Sequence, residues 1–218
     1  HGVGKWCVTV DPDEFLLLPY CEQRGLKSLT RYMDASNQPS LFAPLIDVYG
    51  SERLSQTRLA EDTDPFELCP YFDRFNLTQR WDEANGNFWV QGGVRMRRFF
   101  ADNPMKAPAL NKVPLIRWEP GLYYVSSMHH TNRRALNCTV RGNRQAVSGV
   151  LFHFKYVNLL SQKAQEEMTR GEHYDGSGEY KAYLDAGDPV LFDPEVSVRC
   201  GGTRQLQELG FMQAGGWF

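Results

Sequence analysis

Short apolar runs alternate along the chain with polar, breaker-rich stretches, and the period of each run predicts an element. Trp6 to Val10 is β-prone, too short for a helix and closed by Asp11-Pro12, so it predicts a buried strand with acids at its carboxyl end. Leu26, Leu29, Tyr32 and Met33 recur at helical spacing ahead of the breaker cluster from Asp34 to Pro39, which predicts a surface helix. Ser40 to Tyr49, dense in Leu41, Phe42, Leu45, Ile46 and Val48 and ended by Gly50, reads as a second strand. Ser51 to Phe88 is polar, punctuated by proline and rich in aromatics without a clear period, as expected of a long excursion over the sheet face that builds a site. Val94 to Phe100, Val113 to Trp118, Leu122 to Met128 and Val147 to Val157 read as further strands. From Asn158 the pattern turns helical: Leu159, Leu160, Ala164, Glu167 and Met168 outline a helix to about Gly171, Glu179 to Ala186 a second, and Leu206 to Leu209 a short last one. There is no internal repeat. The expected fold class is α/β, a mixed sheet flanked by helices, in a single domain over residues 1–218.

Composition narrows the possibilities. At 218 residues, 42% hydrophobic and 23% charged, the chain can bury a sizeable core, and disorder, collagen-like repeats and coiled coil are disfavoured. Lys plus Arg number 24 against 26 Asp plus Glu, a net charge of -2, so no global field draws the chain onto nucleic acid or anionic lipid. The longest apolar run, Phe15 to Pro19, is far below the ~20 residues that cross a bilayer, and no secretory leader is visible. Five cysteines at irregular spacing, with no C-x-x-C pair, suit reduced thiols and hence a cytoplasmic location. The chain opens at His1 and reaches its first strand almost at once, so its start reads as cut and the fold as incomplete at the N-terminus.

The sharpest chemical signal is Asp11, Pro12, Asp13, Glu14, Phe15 directly after a strand. On extended backbone, residues two apart share a side, so Asp11 and Asp13 can hold one divalent cation, Mg or Mn, which would neutralise a departing diphosphate. The same residues also fit a strand-to-helix turn with a capping acid. His129, His130 and His153 fall in or just after β-like runs; one of them can complete a cation's coordination or carry a proton. His153 stands in an apolar run and must find a partner if buried. Arg95, Arg97 and Arg98 near Gly92-Gly93, Lys112 and Arg117 on the next strand, and Lys155 beside His153 are candidate phosphate or acidic-sugar contacts, with Arg95 and Arg97 alternating onto one strand face; solvated strand-edge charges are the competing interpretation. Asp82 and Glu83, between Trp81 and the Asn85-Gly86 turn, are the candidate catalytic carboxylates for deprotonating an acceptor hydroxyl.

The order of the segments WCVTVDPDEFLLL (6–18), PYF (70–72), GGVRMRRF (92–99), KVPLIRW (112–118), Ser127-Met128-His129 and GVLFHFK (149–155) resembles the bacterial glycosyltransferase family 2 group of GT-A fold, over most of the chain. The resemblance implies a nucleotide-sugar-dependent transferase of polysaccharide biosynthesis. It places a metal ion, Mn or Mg, on Asp11 and Asp13 with His129 joining, and puts His153 and Lys155 near the donor phosphates or the acceptor. The implied reaction moves a sugar from a nucleotide-diphosphate donor to a saccharide hydroxyl with inversion. Two departures stand out: the half of the fold that binds the donor's base is absent ahead of Asp11, and no Glu-Asp segment marks the base, so Asp82 and Glu83 stand in for it.

Two other classes fit parts of the pattern. A haloacid dehalogenase-like phosphatase also starts from a strand followed by Asp-x-Asp, but Glu14 and Phe15 depart from its continuation. A non-catalytic carbohydrate-binding or interaction domain is favoured by the 13% aromatic content and by Trp81, Trp89 and Trp217.

Overall fold

The computed structural model describes residues 2–75, 77–157 and 178–217. Its centre is a five-stranded mixed sheet in the order β1 (Trp6–Val8), β7 (Asn111–Arg117), β3 (Ser40–Asp47), β8 (Val150–His153), β2 (Glu14–Leu17). β3 and β8 are parallel; β1 and β3 pair antiparallel with β7, and β2 pairs antiparallel with β8.

β3 is buried at all eight positions, as expected of a strand covered on both faces. It contains Pro44, which pairs with Asn111 just past a register shift between Leu41 and Ala43. On one side Ile46, Phe72, Phe152, Phe154 and Leu206 pack together. Elsewhere Phe42, Leu45, Val90, Leu110 and Leu151 form a second cluster. Helix α1 (Leu26–Ala35) buries Leu29 and Met33 against Leu41, Leu115 and Trp217, confirming the helical spacing. Trp217 is core, not an exposed platform.

Residues 51–88 are less featureless than their pattern. They hold a short helix α2 (Pro65–Leu68), β4 (Tyr71–Asp73), which pairs with β9 (Ser197–Arg199), and the hairpin formed by β5 (Leu77–Asp82) and β6 (Asn87–Gly92) around the Asn85-Gly86 turn. Three other expectations are corrected. Trp6–Val8 is a strand but lies at a sheet edge, with Val8 exposed. Residues 93–99 are a helix, α3 (Gly93–Phe99): Gly92 (φ 138°) and Gly93 (φ 61°) turn the chain out of β6 into a backbone that side-chain-bearing residues resist. Leu122 to Met128 makes only isolated bridges, interrupted at Ser127 (φ 46°), with Tyr123 and Val125 exposed.

A four-residue helix α4 (Arg134–Asn137) precedes β8. The expected β-run 147–157 keeps only four residues as strand. The helix expected over 158–171 lies outside the described residues. Helices α5 (Gly178–Asp185) and α6 (Thr203–Glu208) fall close to their expected places. Among the described residues no helix is long and apolar enough to cross a membrane.

The sheet is curled. β2 and β7 are three strand steps apart, about 14 Å at ordinary spacing, with side chains standing off the sheet surface. Even so, Glu14 of β2 and Lys112 of β7 meet at 3.0 Å. The connection from Thr9 to Asp13 crosses the same end of the sheet, carrying the chain from the β7 side to the β8 side.

Candidate functional site

Chemistry gathers where the parallel strands end. Register places Glu14, Asp47 and His153 side by side, at the start of β2 and the carboxyl ends of β3 and β8. The carboxyl end of parallel strands is where open α/β sheets place their ligands.

Asp47 is buried and fixed by Arg95 from α3, whose Nη2 donates to Oδ1 at 2.6 Å and whose Nε donates to Oδ2 at 2.9 Å. Burial by itself would raise the Asp47 pKa. The Arg95 charge and the His153 hydrogen bond override that and hold the carboxyl far below its ordinary range. Because a carboxylate can only accept, His153 Nδ1 donates in its 2.8 Å contact with Asp47 Oδ1, and Arg95 Nη2, 3.0 Å from the same nitrogen, is then a neighbouring donor rather than its partner. The far side of the ring, Nε2, faces Asp13 Oδ2 at 3.2 Å. Burial opposes charge on His153, but hydrogen bonds to Asp13 and Asp47 outweigh it and raise its pKa. The side chains of Asp47 and Arg95 are 2% and 5% exposed, whereas that of Asp13 is 46% exposed. A buried chain of contacts therefore surfaces at one carboxylate.

A second branch joins at Arg95. Its Nη1 lies 3.3 Å from Glu179 Oε1, which also lies 3.8 Å from Lys155 Nζ and accepts from the Tyr183 hydroxyl. Burial would raise the Glu179 pKa, but Arg95 and Lys155 bring it below the usual range.

The Asp11–Glu14 segment is a turn rather than extended backbone. Glu14 N–H donates to the Asp11 carbonyl at 3.0 Å, the Glu14 carboxylate accepts from the Asp11 N–H at 3.1 Å, and Pro12 holds the second turn position. The two aspartates accordingly meet different groups: Asp11 faces Lys112 at 3.5 Å and Asp13 faces His153. The turn leads into a strand, not a helix.

The remaining expected site residues are placed as follows. Arg95 and Arg97 do not share a strand face: on α3 they diverge, Arg95 to Asp47 and Arg97 to Asp73. Lys112 is buried on Glu14 and Asp11. His129 donates from Nδ1 to the Asn111 carbonyl at 2.8 Å. Burial, aided by the Lys112 charge, pushes its pKa down to about 4, so it is neutral with its lone pair on Nε2. Asp82 closes the β5–β6 turn, accepting from the Ala84 and Asn85 N–H groups and the Asn85 amide, while Glu83 is 79% exposed with Arg134 at 3.8 Å. No contact among the described residues links either acid to Asp13 or His153.

Sequence reasoning passed over Asp47, Glu14 and Glu179. Asp47 carried the signal that marked His153, a lone ionisable group in an apolar run. Glu179 carried none, because only the fold brings α5 to Arg95.

The donor chemistry fits a hard divalent cation. Among the described residues no three His, Cys, Asp or Glu groups converge as a ligand set. Mg and Mn, however, need only one or two protein donors when waters and phosphate oxygens complete the shell, and adjacent donors at about 2.1 Å from such an ion sit about 3 Å apart. Asp13 Oδ2 and His153 Nε2 have that separation, so a cation can take the place of the proton that they share when the ring is charged, and a histidine whose other nitrogen donates to a carboxylate is the usual form of a metal-binding imidazole. Comparison with family models, curated proteins and solved structures finds no match for this chain.

Proposed function

We propose that this chain acts as a metal-dependent glycosyltransferase of GT-A type, which moves a sugar from a nucleoside-diphosphate donor to a hydroxyl of a saccharide or glycoconjugate. One observation carries the proposal: a half-exposed Asp13 faces His153 at the carboxyl end of the parallel strands, and Asp47 and Arg95 fix His153 from behind. Asp13 and His153 would hold Mn or Mg, with Asp11 alongside; the ion would supply positive charge against the donor's diphosphate.

The chain's own groups do the rest. Asp47 keeps the His153 ring oriented with Nε2 outward, and Arg95 keeps Asp47 ionised. Lys155, within reach of Glu179, adds a cation on the side where leaving phosphates would lie. Lys112 holds Glu14 and Asp11 in the turn that presents Asp13. Lys112 thus supports the site's frame in this proposal, whereas Arg97 on Asp73 and His129 on the Asn111 carbonyl are given no part in holding the cation. Of the hairpin acids, Glu83 has oxygens open to an acceptor's proton, and Asp82 shapes the turn. The five cysteines are all free, which suits a reducing compartment, the cytoplasm.

Manganese binding followed by electron paramagnetic resonance tests the proposal. One saturable site is expected, weakened at least tenfold by Asp13→Asn and by His153→Gln. Calorimetry with uridine- and guanosine-diphosphate sugars should then show binding that requires Mn. Manganese affinity unaffected by both substitutions, or no cation-dependent binding to any donor in the panel, would overturn it.

A further inference from the structure

A cleft of about 510 Å³ opens at the far end of β8 from His153. It is bounded by Phe42 and Pro44 of β3, the β5–β6 hairpin, the 140–142 loop, Ser148 ahead of β8, and the 209–213 turn. Ser148 precedes His153 by five residues and Pro44 precedes Asp47 by three, so these lining residues lie roughly 16 Å and 10 Å along their strands from the His153–Asp47 contact at about 3.3 Å per strand residue. Its volume is that of an ordinary small-ligand site.

Three features define what the cleft can take. Among the described residues it is lined by two arginines and no acid, although the chain as a whole carries a net charge of -2. Neither arginine has a carboxylate partner among the described residues. Arg74 donates to the Glu195 carbonyl and lies 5.2 Å from the Phe75 ring centroid, and Arg141 lies 3.7 Å over Trp81. A guanidinium stacked on a ring, as Arg141 is, keeps its donor edge free and loses little freedom when it binds, which suits a planar carboxylate, whereas Arg74 has one Nη committed to the Glu195 carbonyl. The contrasting cleft beside α3 sets Arg53, Arg97 and Arg98 against Asp188 and Asp193, so its charges are largely answered from within. The second feature is aromatic lining: Phe75 is half-exposed, Phe42 and Phe88 pack edge to face, and all three line the cleft, offering apolar surface to the C–H side of a sugar ring. Third, Gln79 and Gln213 line the same space; the Gln213 amide nitrogen donates to the Ala146 carbonyl at 2.7 Å, which leaves its oxygen to accept from a hydroxyl.

We infer that this cleft is a binding site for an acidic saccharide, a sugar ring bearing a carboxylate, with Arg141 and Arg74 holding the anion and Phe75 the ring. The site needs neither cation nor nucleotide and stands apart from the proposed transferase centre.

The test is titration of the whole chain, by tryptophan fluorescence and calorimetry, with a glucuronate-containing disaccharide, its neutral glucose counterpart and inorganic phosphate. The acidic disaccharide should bind at least tenfold more tightly than either of the others. Arg141→Gln and Arg74→Gln should each weaken it at least tenfold while leaving the neutral sugar unchanged, and Phe75→Ala should weaken both sugars. Arg141→Lys, which keeps charge and packing bulk, should give an intermediate loss and serves if Arg141→Gln does not fold. Asp13→Asn should bind the acidic disaccharide as the natural sequence does, so a failed transferase proposal leaves this one standing. Equal affinity for the neutral sugar, equal affinity for phosphate alone, no binding at all, or a loss in Asp13→Asn would each overturn the inference.

Discussion

Arg95 and Arg97 stand two residues apart on α3 and each grips an aspartate with two hydrogen bonds, yet the two pairs lead to different ends. Arg97 donates to both oxygens of Asp73 at 2.9 Å. Asp73 in turn accepts from the Tyr49 hydroxyl at 2.5 Å, and that hydroxyl lies 2.8 Å from Ser197. Burial, reinforced by Asp73, pushes the Tyr49 pKa well up, so the phenol stays protonated. The network ties α3, β4, β9 and the segment that follows β3 together, and Arg97 reaches on to Asp193 at 3.8 Å. Arg95 holds Asp47 in the same way, but the next group along is His153, and after it comes a carboxylate open to solvent. The two Arg–Asp pairs therefore differ in the third group they orient. One orients a phenol whose pKa is raised well above its ordinary value, the other an imidazole whose pKa is raised above 6.5.

The largest effect should separate the two pairs by stability. Arg95→Met leaves Asp47 charged and buried without its partner and should cost about 3–5 kcal/mol in urea denaturation. Arg97→Met should cost less, about 1.5–3 kcal/mol, because its side chain is 20% exposed and Tyr49 still bonds Asp73. Equal losses would mean that burial does not distinguish the pairs.

Next comes the pH dependence of stability with cations removed by chelator. The folded-state pKa of His153 is raised above its ordinary 6.5, so its stabilising contribution is complete below about pH 6.5 and is lost as pH rises through the folded value. That loss amounts to about 1.4 kcal/mol for each unit of elevation. Urea midpoints between pH 5.5 and 9 should fall in the natural sequence and stay flatter in His153→Gln; parallel curves would remove His153 from the account.

The comparison sharpens further in cation affinity. Asp47→Asn should weaken Mn binding by roughly 10–100-fold through loss of ring orientation, and Asp73→Asn should leave it unchanged. Tyr49→Phe removes one hydroxyl from the Asp73 network and should cost about 1 kcal/mol without touching Mn affinity. Smallest in stability is Glu83→Gln at the hairpin tip, within about 0.5 kcal/mol. The rate of sugar transfer in that variant should nonetheless fall by roughly 10²-fold or more, and an unchanged rate would remove Glu83 as the base.

The amino-acid pattern by itself determined the α/β class, helix α1 and the buried strands β3 and β7, because burial on one stripe or on both faces leaves a period that can be read locally. It also marked Asp13 and His153, since acids after a strand and a lone imidazole in an apolar run are conspicuous without any fold. Only the tertiary structure decided who partners whom. Glycines at positive φ converted Val94 to Phe99 from an expected strand into α3 and so sent Arg95 and Arg97 to different aspartates. The turn at Asp11 to Glu14 parted two acids expected to act together. Asp47 and Glu179 became parts of the site through contacts across 48 and 84 residues of chain from Arg95. Such contacts depend on register and on sheet curl, and neither is encoded in the spacing of residues along one segment.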